Sequence, residues 1–81
     1  MFTVSMLDIK TTATILKEMA SCVILPGEEG QLSIMDFHQP IVACLKKGVI
    51  KIDQSRSIQI KSGIARMEGN VLSVLVERIE K

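Results

Sequence analysis

The stretch VIKIDQSRSIQIKSGIARMEGNVLSVLV, residues 49–76, decides the fold class. Ile50 and Ile52 alternate with Val49 and Lys51, Asp53-Gln54-Ser55-Arg56 is a polar turn, and Ile58 and Ile60 follow with Gln59 and Lys61 between them. Side chains on a strand point alternately to its two faces, so this pattern predicts a hairpin with one wet face. Ile64 to Met67, the turn Glu68-Gly69-Asn70 and Val71 to Val76 predict a second hairpin. Val71, Leu72, Leu75, Val76 and Ile79 also fit one face of a helix, with Glu77 and Lys81 four residues apart. The β-branched Val71, Val74 and Val76, and the turn just before them, favour a strand through Val76. A short helical stub over Glu77 to Lys81 is the most helix expected.

Upstream the same signals recur. Phe2, Val4 and Met6 alternate, and Leu7 and Ile9 then shift the phase by one, as a β-bulge would. From Met19 to Leu25 both alternating sets are mostly apolar, which predicts one strand covered on both faces, stopped by Pro26-Gly27-Glu28-Glu29-Gly30. Leu32 and Ile34 alternate again, Pro40 begins a short apolar run, and Lys46-Lys47-Gly48 turns it. Strand signals about every 8–12 residues point to a sandwich or barrel. The expectation is an all-β chain forming one domain over residues 1–81.

Composition narrows what such a domain does. The chain has 81 residues, 47% apolar but only 2% aromatic, so its core must be built from Ile, Val, Leu and Met, with the five methionines read as core fillers. Ten Lys and Arg stand against nine Asp and Glu. That balance excludes a polyanion binder driven by bulk charge, and so few aromatics supply little base stacking, so no nucleic-acid partner is expected. The longest apolar run, Ile41 to Leu45, is five residues, against about twenty for a membrane span. No span and no signal peptide are expected, and Cys22 and Cys44 read as buried free thiols.

No residue cluster announces catalysis. Gly27-Glu28-Glu29-Gly30 has the GxxG form of a phosphate-backbone clamp, but its two carboxylates would repel phosphate, so it reads as a tight surface turn. His38 is the only histidine. Asp36 two residues earlier could orient it as a base, with Cys44 or Ser33 as nucleophile, but nothing in the spacing brings them together. Asp36, His38 and the cysteines have no recognised metal spacing. Lys46 and Lys47 form a pair rather than a patch. On residues alone this is a non-catalytic β module that works by contact, with no cofactor, metal or small-molecule substrate.

The stretch Leu25 to Ile52, LPGEEGQLSIMDFHQPIVACLKKGVIKI, resembles the N-terminal domain of the epsilon subunit of F-type ATP synthase. The matching residues are Pro26, Gly27, Glu29, Gly30, Leu32, Ile34, His38, Pro40, Leu45, Gly48, Ile50 and Ile52. Ser62-Gly63-Ile64-Ala65 and Gly69-Asn70-Val71-Leu72-Ser73-Val74-Leu75 resemble later strands of the family, and Met6-Leu7-Asp8-Ile9 falls where its first strand begins. Ser33, Asp36-Phe37 and Ile64 depart from it, each standing where the family commonly has glycine or Pro-Gly.

The resemblance implies a β-sandwich of about ten short strands, five in each of two sheets. It implies a non-catalytic rotor subunit in the central stalk, coupling proton flow and c-ring rotation to ATP synthesis. The gamma-subunit surface would include Phe37, His38, Gln39, Pro40, Ile41 and Val42, and the c-ring surface Glu28, Glu29, Gly30, Gln31 and Leu32. Exposed Phe37 and Met35 would be buried at such an interface. The family's C-terminal helical hairpin is not present in these residues, so inhibition of hydrolysis by that route and ATP binding are not expected. The implied place is peripheral, on the cytoplasmic face of a bacterial inner membrane or its organelle equivalent. The alternatives are a small all-β carrier of the lipoyl or biotinyl kind and a generic adaptor. The candidate carrier turn, Met67-Glu68-Gly69-Asn70, holds no lysine to modify.

Overall fold

Period-two alternation becomes strand along nearly the whole chain in the computed structural model, which describes residues 1–36 and 40–79. The strands are β1 (Phe2–Asp8), β2 (Thr14–Ala20), β3 (Cys22–Gly27), β4 (Gly30–Met35), β5 (Ile41–Leu45), β6 (Gly48–Ile52), β7 (Arg56–Glu68) and β8 (Val71–Arg78). No helix occurs among the described residues, and Glu77 and Arg78, where the sequence allowed at most a helical stub or a frayed tail, extend β8. All neighbours are antiparallel except β1 and β8, which run parallel.

The hydrogen-bonded ladder folds over on itself into two layers. One holds β2, β1, β8, the second half of β7, and β5; the other holds β4, β3, β6 and the first half of β7. The fold over is made by one long ribbon. β7 runs beside β5 from Ile41↔Met67 to Leu45↔Gly63, then beside β6 from Gly48↔Ile60 to Ile52↔Arg56. Lys46 and Lys47 on one side, and a register shift between Ile60 and Ser62 on the other, mark the bend. Gly63 sits there because a Cβ would lie 2.6 Å from the carbonyl oxygen of Leu75.

This ribbon accounts for the strand number. Ile58–Ile60 and Ile64–Met67 read as two strands in the sequence, but they are parts of the 13-residue β7, which serves both layers. Among the described residues, eight strands therefore do the work of five segments in one layer and four in the other, in place of ten.

The hairpin turn that ends the ribbon also ties the layers together. Asp53 and Gln54 both have positive φ, 49° and 59°, and the Ser55 amide donates to Ile52 O at 3.0 Å. That is the geometry of a type I′ turn, whose twist matches the flanking strands. Asp53 Oδ1 accepts from the amides of Ser21 (3.0 Å) and Cys22 (2.9 Å), holding the turn against the β2–β3 corner.

That corner corrects one expectation. Residues 19–25 are not one strand covered on both faces: exposed Ser21 breaks them, so that Ala20 ends β2 and Cys22 starts β3 in the other layer. On β3 only Val23 and Leu25 are buried within this stretch, while Cys22 and Ile24 are half-buried. The phase shift at Leu7 does mark an irregularity, with Met6 facing Leu16 and Leu7 facing Thr14, so the extra residue is Ile15 on β2.

Between the layers lies one continuous core of aliphatic side chains and Phe2, with no buried polar or charged residue among those described. Of the methionines only Met6 and Met67 belong to it; Met1, Met19 and Met35 are 64%, 50% and 55% exposed, so they are not core fillers. The cysteines are free as expected, but neither is fully buried: Cys22 is half-buried, and Cys44 is exposed because it alternates with buried Leu45.

Candidate partner-binding surfaces

The glycine turn projects from one corner of the fold. β3 and β4 pair down to Gly27↔Gly30, leaving Glu28 and Glu29 exposed at the tip. Gly30 has φ +133°, a conformation L side chains rarely adopt. The turn is anchored to its neighbour: the Glu28 amide donates to Cys44 O at 3.0 Å, and the Lys46 amide to Pro26 O at 2.9 Å. Gly30 and Gln31 are exposed, and half-buried Leu32 packs on the core.

Of the other predicted surface, Phe37, His38 and Gln39 lie outside the described residues. Pro40 is exposed, Ile41 packs on the core, and Val42 is 68% exposed. The structure brings Ile41 and Val42 beside the glycine turn. β5 meets β3 only at Gly27↔Leu45, so beyond that pair the strands diverge. An open groove of about 520 Å³ results, walled by residues 27–32 on one side and Ile41, Val42, Ala43 and Cys44 on the other. Glu28 to Leu32 and Ile41 to Val42 thus share a single groove.

A second feature was not legible as a site. On the outer face of the five-stranded layer, Leu7 pairs with Leu75, Leu75 with Ile64, and Ile64 with Cys44. Cross-strand partners stand side by side, so these four form a row across β1, β8, β7 and β5. Leu75 is 43% exposed and Ile64 47%, Cys44 is exposed and Leu7 half-buried. Val42 stands two residues along β5 from Cys44, on the same face. The next row, Ser5, Ser73 and Arg66, is polar and leads to Val42. A polar row therefore separates the apolar row from exposed Val71 and Met19 farther along the same face. The signal was present in the sequence: Val71 and Leu75 fill positions of the last strand where a one-faced pattern would place polar residues.

Among the described residues the candidate groups stand apart. Asp36 follows β4 and pairs with the amino group of Met1. Cys22 and Asp53 line a shallow cleft beside Lys51, with Asp53 occupied by the Ser21 and Cys22 amides. Among the described residues no three His, Cys, Asp or Glu side chains converge to hold a metal ion, and no helix is long and apolar enough to cross a membrane.

Comparison with known proteins fits this architecture. Residues 3–81 match the family described as ATP synthase, Delta/Epsilon chain, beta-sandwich domain. The chain is 37% identical over 71 residues to an ATP synthase epsilon chain of Synechococcus sp., covering 84% of this chain and 51% of that one. It is 28% identical over 69 residues to an ATP synthase epsilon chain of Rickettsia bellii, covering 78% of this chain and 64% of the relative. The chain spans about half the length of the cyanobacterial relatives it matches. A chain in the structure of the Tetrahymena thermophila mitochondrial ATP synthase central stalk and c-ring has the same fold, with a TM-score of 0.79 at 16% identity over 93% of this chain and 62% of that one. A chain of the Euglena gracilis mitochondrial ATP synthase does likewise, with a TM-score of 0.75 at 19% identity over 90% and 48%.

Proposed function

Because the chain belongs to the ATP synthase delta/epsilon β-sandwich family, we propose that it is a non-catalytic piece of the central stalk, linking the gamma subunit to the c-ring so that ion-driven rotation reaches distant catalytic sites. The observation that carries this reading is the apolar row Leu7, Leu75, Ile64 and Cys44 with neighbouring Val42, on an outer face that no other described strand covers. Each fully covered Leu or Ile contributes roughly 1.5–3 kcal/mol, so a partner seated on the row gains from several of them at once. Gamma is the proposed occupant, reached by the row together with Pro40, Ile41 and Val42 and by neighbouring Phe37, His38 and Gln39. The c-ring is the proposed partner of Glu28, Glu29, Gly30, Gln31 and Leu32, where the exposed turn is polar and each ion pair adds about 0–1 kcal/mol.

A stiff body suits the task. The core is aliphatic and continuous, the layers are joined by the β5–β6/β7 ribbon and by Ser21, and close-packed interiors transmit strain. We further propose that these 81 residues neither inhibit hydrolysis by the catalytic head nor bind ATP. The exposed glycine turn carries carboxylates where a phosphate cradle would need donors and positive charge. Peripheral placement on the membrane face that bears the catalytic head follows from the proposed partners.

The test is co-purification with tagged gamma and with the c-ring, followed by ATPase assay of the catalytic head with and without the chain. Binding to both, with hydrolysis unchanged, is expected. Failure to bind gamma defeats the linkage, and strong inhibition defeats the claim about regulation.

A further inference from the structure

Two strands bound the five-stranded layer, and they end it differently. β2 carries Lys17, Glu18 and the extra residue Ile15, devices that keep a bare strand from pairing with another chain. β5 reads Ile41-Val42-Ala43-Cys44, with no charge, no proline and no register shift against β7. Its ladder to β3 stops at Gly27↔Leu45, where the Glu28 amide donates to Cys44 O and the Lys46 amide to Pro26 O. Backbone groups alternate sides along a strand, so Val42 N–H, Val42 C=O and Cys44 N–H face the same way as Cys44 O. They face the groove of about 520 Å³ beside the glycine turn and meet no backbone partner there among the described residues. The core is also open along this edge: Leu32 and Ile41 pack on it, yet both are only half-buried, as is Ala43. Glu28 and Glu29 stand exposed on the rim, no lysine or arginine lines the groove, and no ion pair reaches either carboxylate among the described residues.

We propose that this groove takes an extended segment of a partner protein as an added strand beside Ile41–Cys44, its apolar side chains turned to Leu32, Ile41 and Ala43 and its lysines or arginines near Glu28 and Glu29. The edge itself selects a strand: main-chain donors and acceptors spaced along β5 are matched by the main chain of another strand, while alternate side chains fill the pockets beside it. A helix keeps its own backbone groups paired and would leave those of β5 unmet. Charge then selects among strands. A second copy of this chain, pairing edge to edge, would gather two pairs of carboxylates and no groove-lining cation in one seam, which disfavours it, whereas a basic segment complements the rim. The inference does not rest on the stalk reading. No stalk subunit enters its test, so either can fail alone.

The experiment is an NMR titration of the 81-residue chain with a synthetic peptide of alternating valine and lysine, together with amide hydrogen exchange. Shifts should concentrate at residues 27–32 and 41–44, and saturating peptide should slow exchange of the Val42 and Cys44 amides about tenfold or more. A strand at an edge bonds through alternate amides only, so N-methylating one alternate set of peptide amides should abolish binding and methylating the other should spare it. Replacing the peptide's lysines by glutamate should weaken binding roughly tenfold. Glu28→Gln combined with Glu29→Gln, both on an exposed turn, should weaken the lysine peptide by a similar factor, about two surface ion pairs' worth, and the difference should fade as salt rises. Absence of binding would overturn the proposal. So would unslowed exchange at Val42 and Cys44, equal tolerance of both methylated peptides, or shifts as large along β2 as along β5.

Discussion

The two faces of β8 use nearly the same side chains for opposite ends. Leu72, Val74 and Val76 point inward and are fully buried, while Val71 and Leu75 point outward and are each 43% exposed. Only parity separates them, since adjacent residues on a strand face opposite sides. The inward set joins Phe2, Val4 and Met6 of its own layer in one core with Val23, Leu25, Ile34, Ile50 and Ile52 of the other. The outward set has no cover among the described residues, and Leu75 joins Ile64 and Cys44 across the sheet. Hydrophobicity alone therefore does not assign a residue to the core or to the surface here; its register does.

The sharpest way to break this division is to truncate both faces equally. Leu72→Ala should lower unfolding free energy by about 2–5 kcal/mol in urea denaturation, through lost transfer energy and a cavity. A loss no larger than that of an exposed alanine variant would deny that the inner face is the core. Leu75→Ala should change stability by no more than about 0.5 kcal/mol, yet weaken gamma binding about tenfold, measured by calorimetry. If Leu75→Ala instead destabilises as much as Leu72→Ala, the two faces are not distinct.

The register that sets parity can be loosened separately. Asp53→Ala removes the acceptor for the Ser21 and Cys22 amides and should cost about 1–3 kcal/mol of stability. An unchanged denaturation midpoint would show that the β2–β3 corner does not need the turn. The smallest effect belongs to the glycine turn. Glu29→Gln should weaken c-ring binding by no more than about fivefold, and that difference should fade as salt rises. A larger, salt-independent loss would make the turn, rather than the apolar row, the dominant contact.

Much of the fold was legible because alternation is a local signal. The ribbon's turn at Asp53, the bulge beside Met6 and the strand through Val76 all follow from residues within a few positions of each other. Two features were not. The joining of Ile58–Ile60 to Ile64–Met67 depends on a bend that Lys61-Ser62-Gly63 disguises as a turn, and only pairing to β5 and β6 shows that the strand continues. The break at Ser21 was hidden because apolar residues on both sides of a corner look like one strand buried on two faces. For the candidate surfaces, the family motif led to the glycine turn and to Ile41 and Val42, but not to the groove that these share. Leu7, Cys44, Ile64 and Leu75 are spread over most of the chain, so the row they form exists only once four strands are in register.

The account rests on the outer face of the five-stranded layer being the grip on the stalk. The most direct test is the affinity of purified gamma for the wild-type chain and for the double variant Ile64→Asp, Leu75→Asp, with circular dichroism as the check on folding. A folded double variant that has lost gamma binding by a hundredfold or more, the order expected when two central contacts are removed, is the predicted result. A folded double variant that binds gamma as tightly as wild type would contradict it.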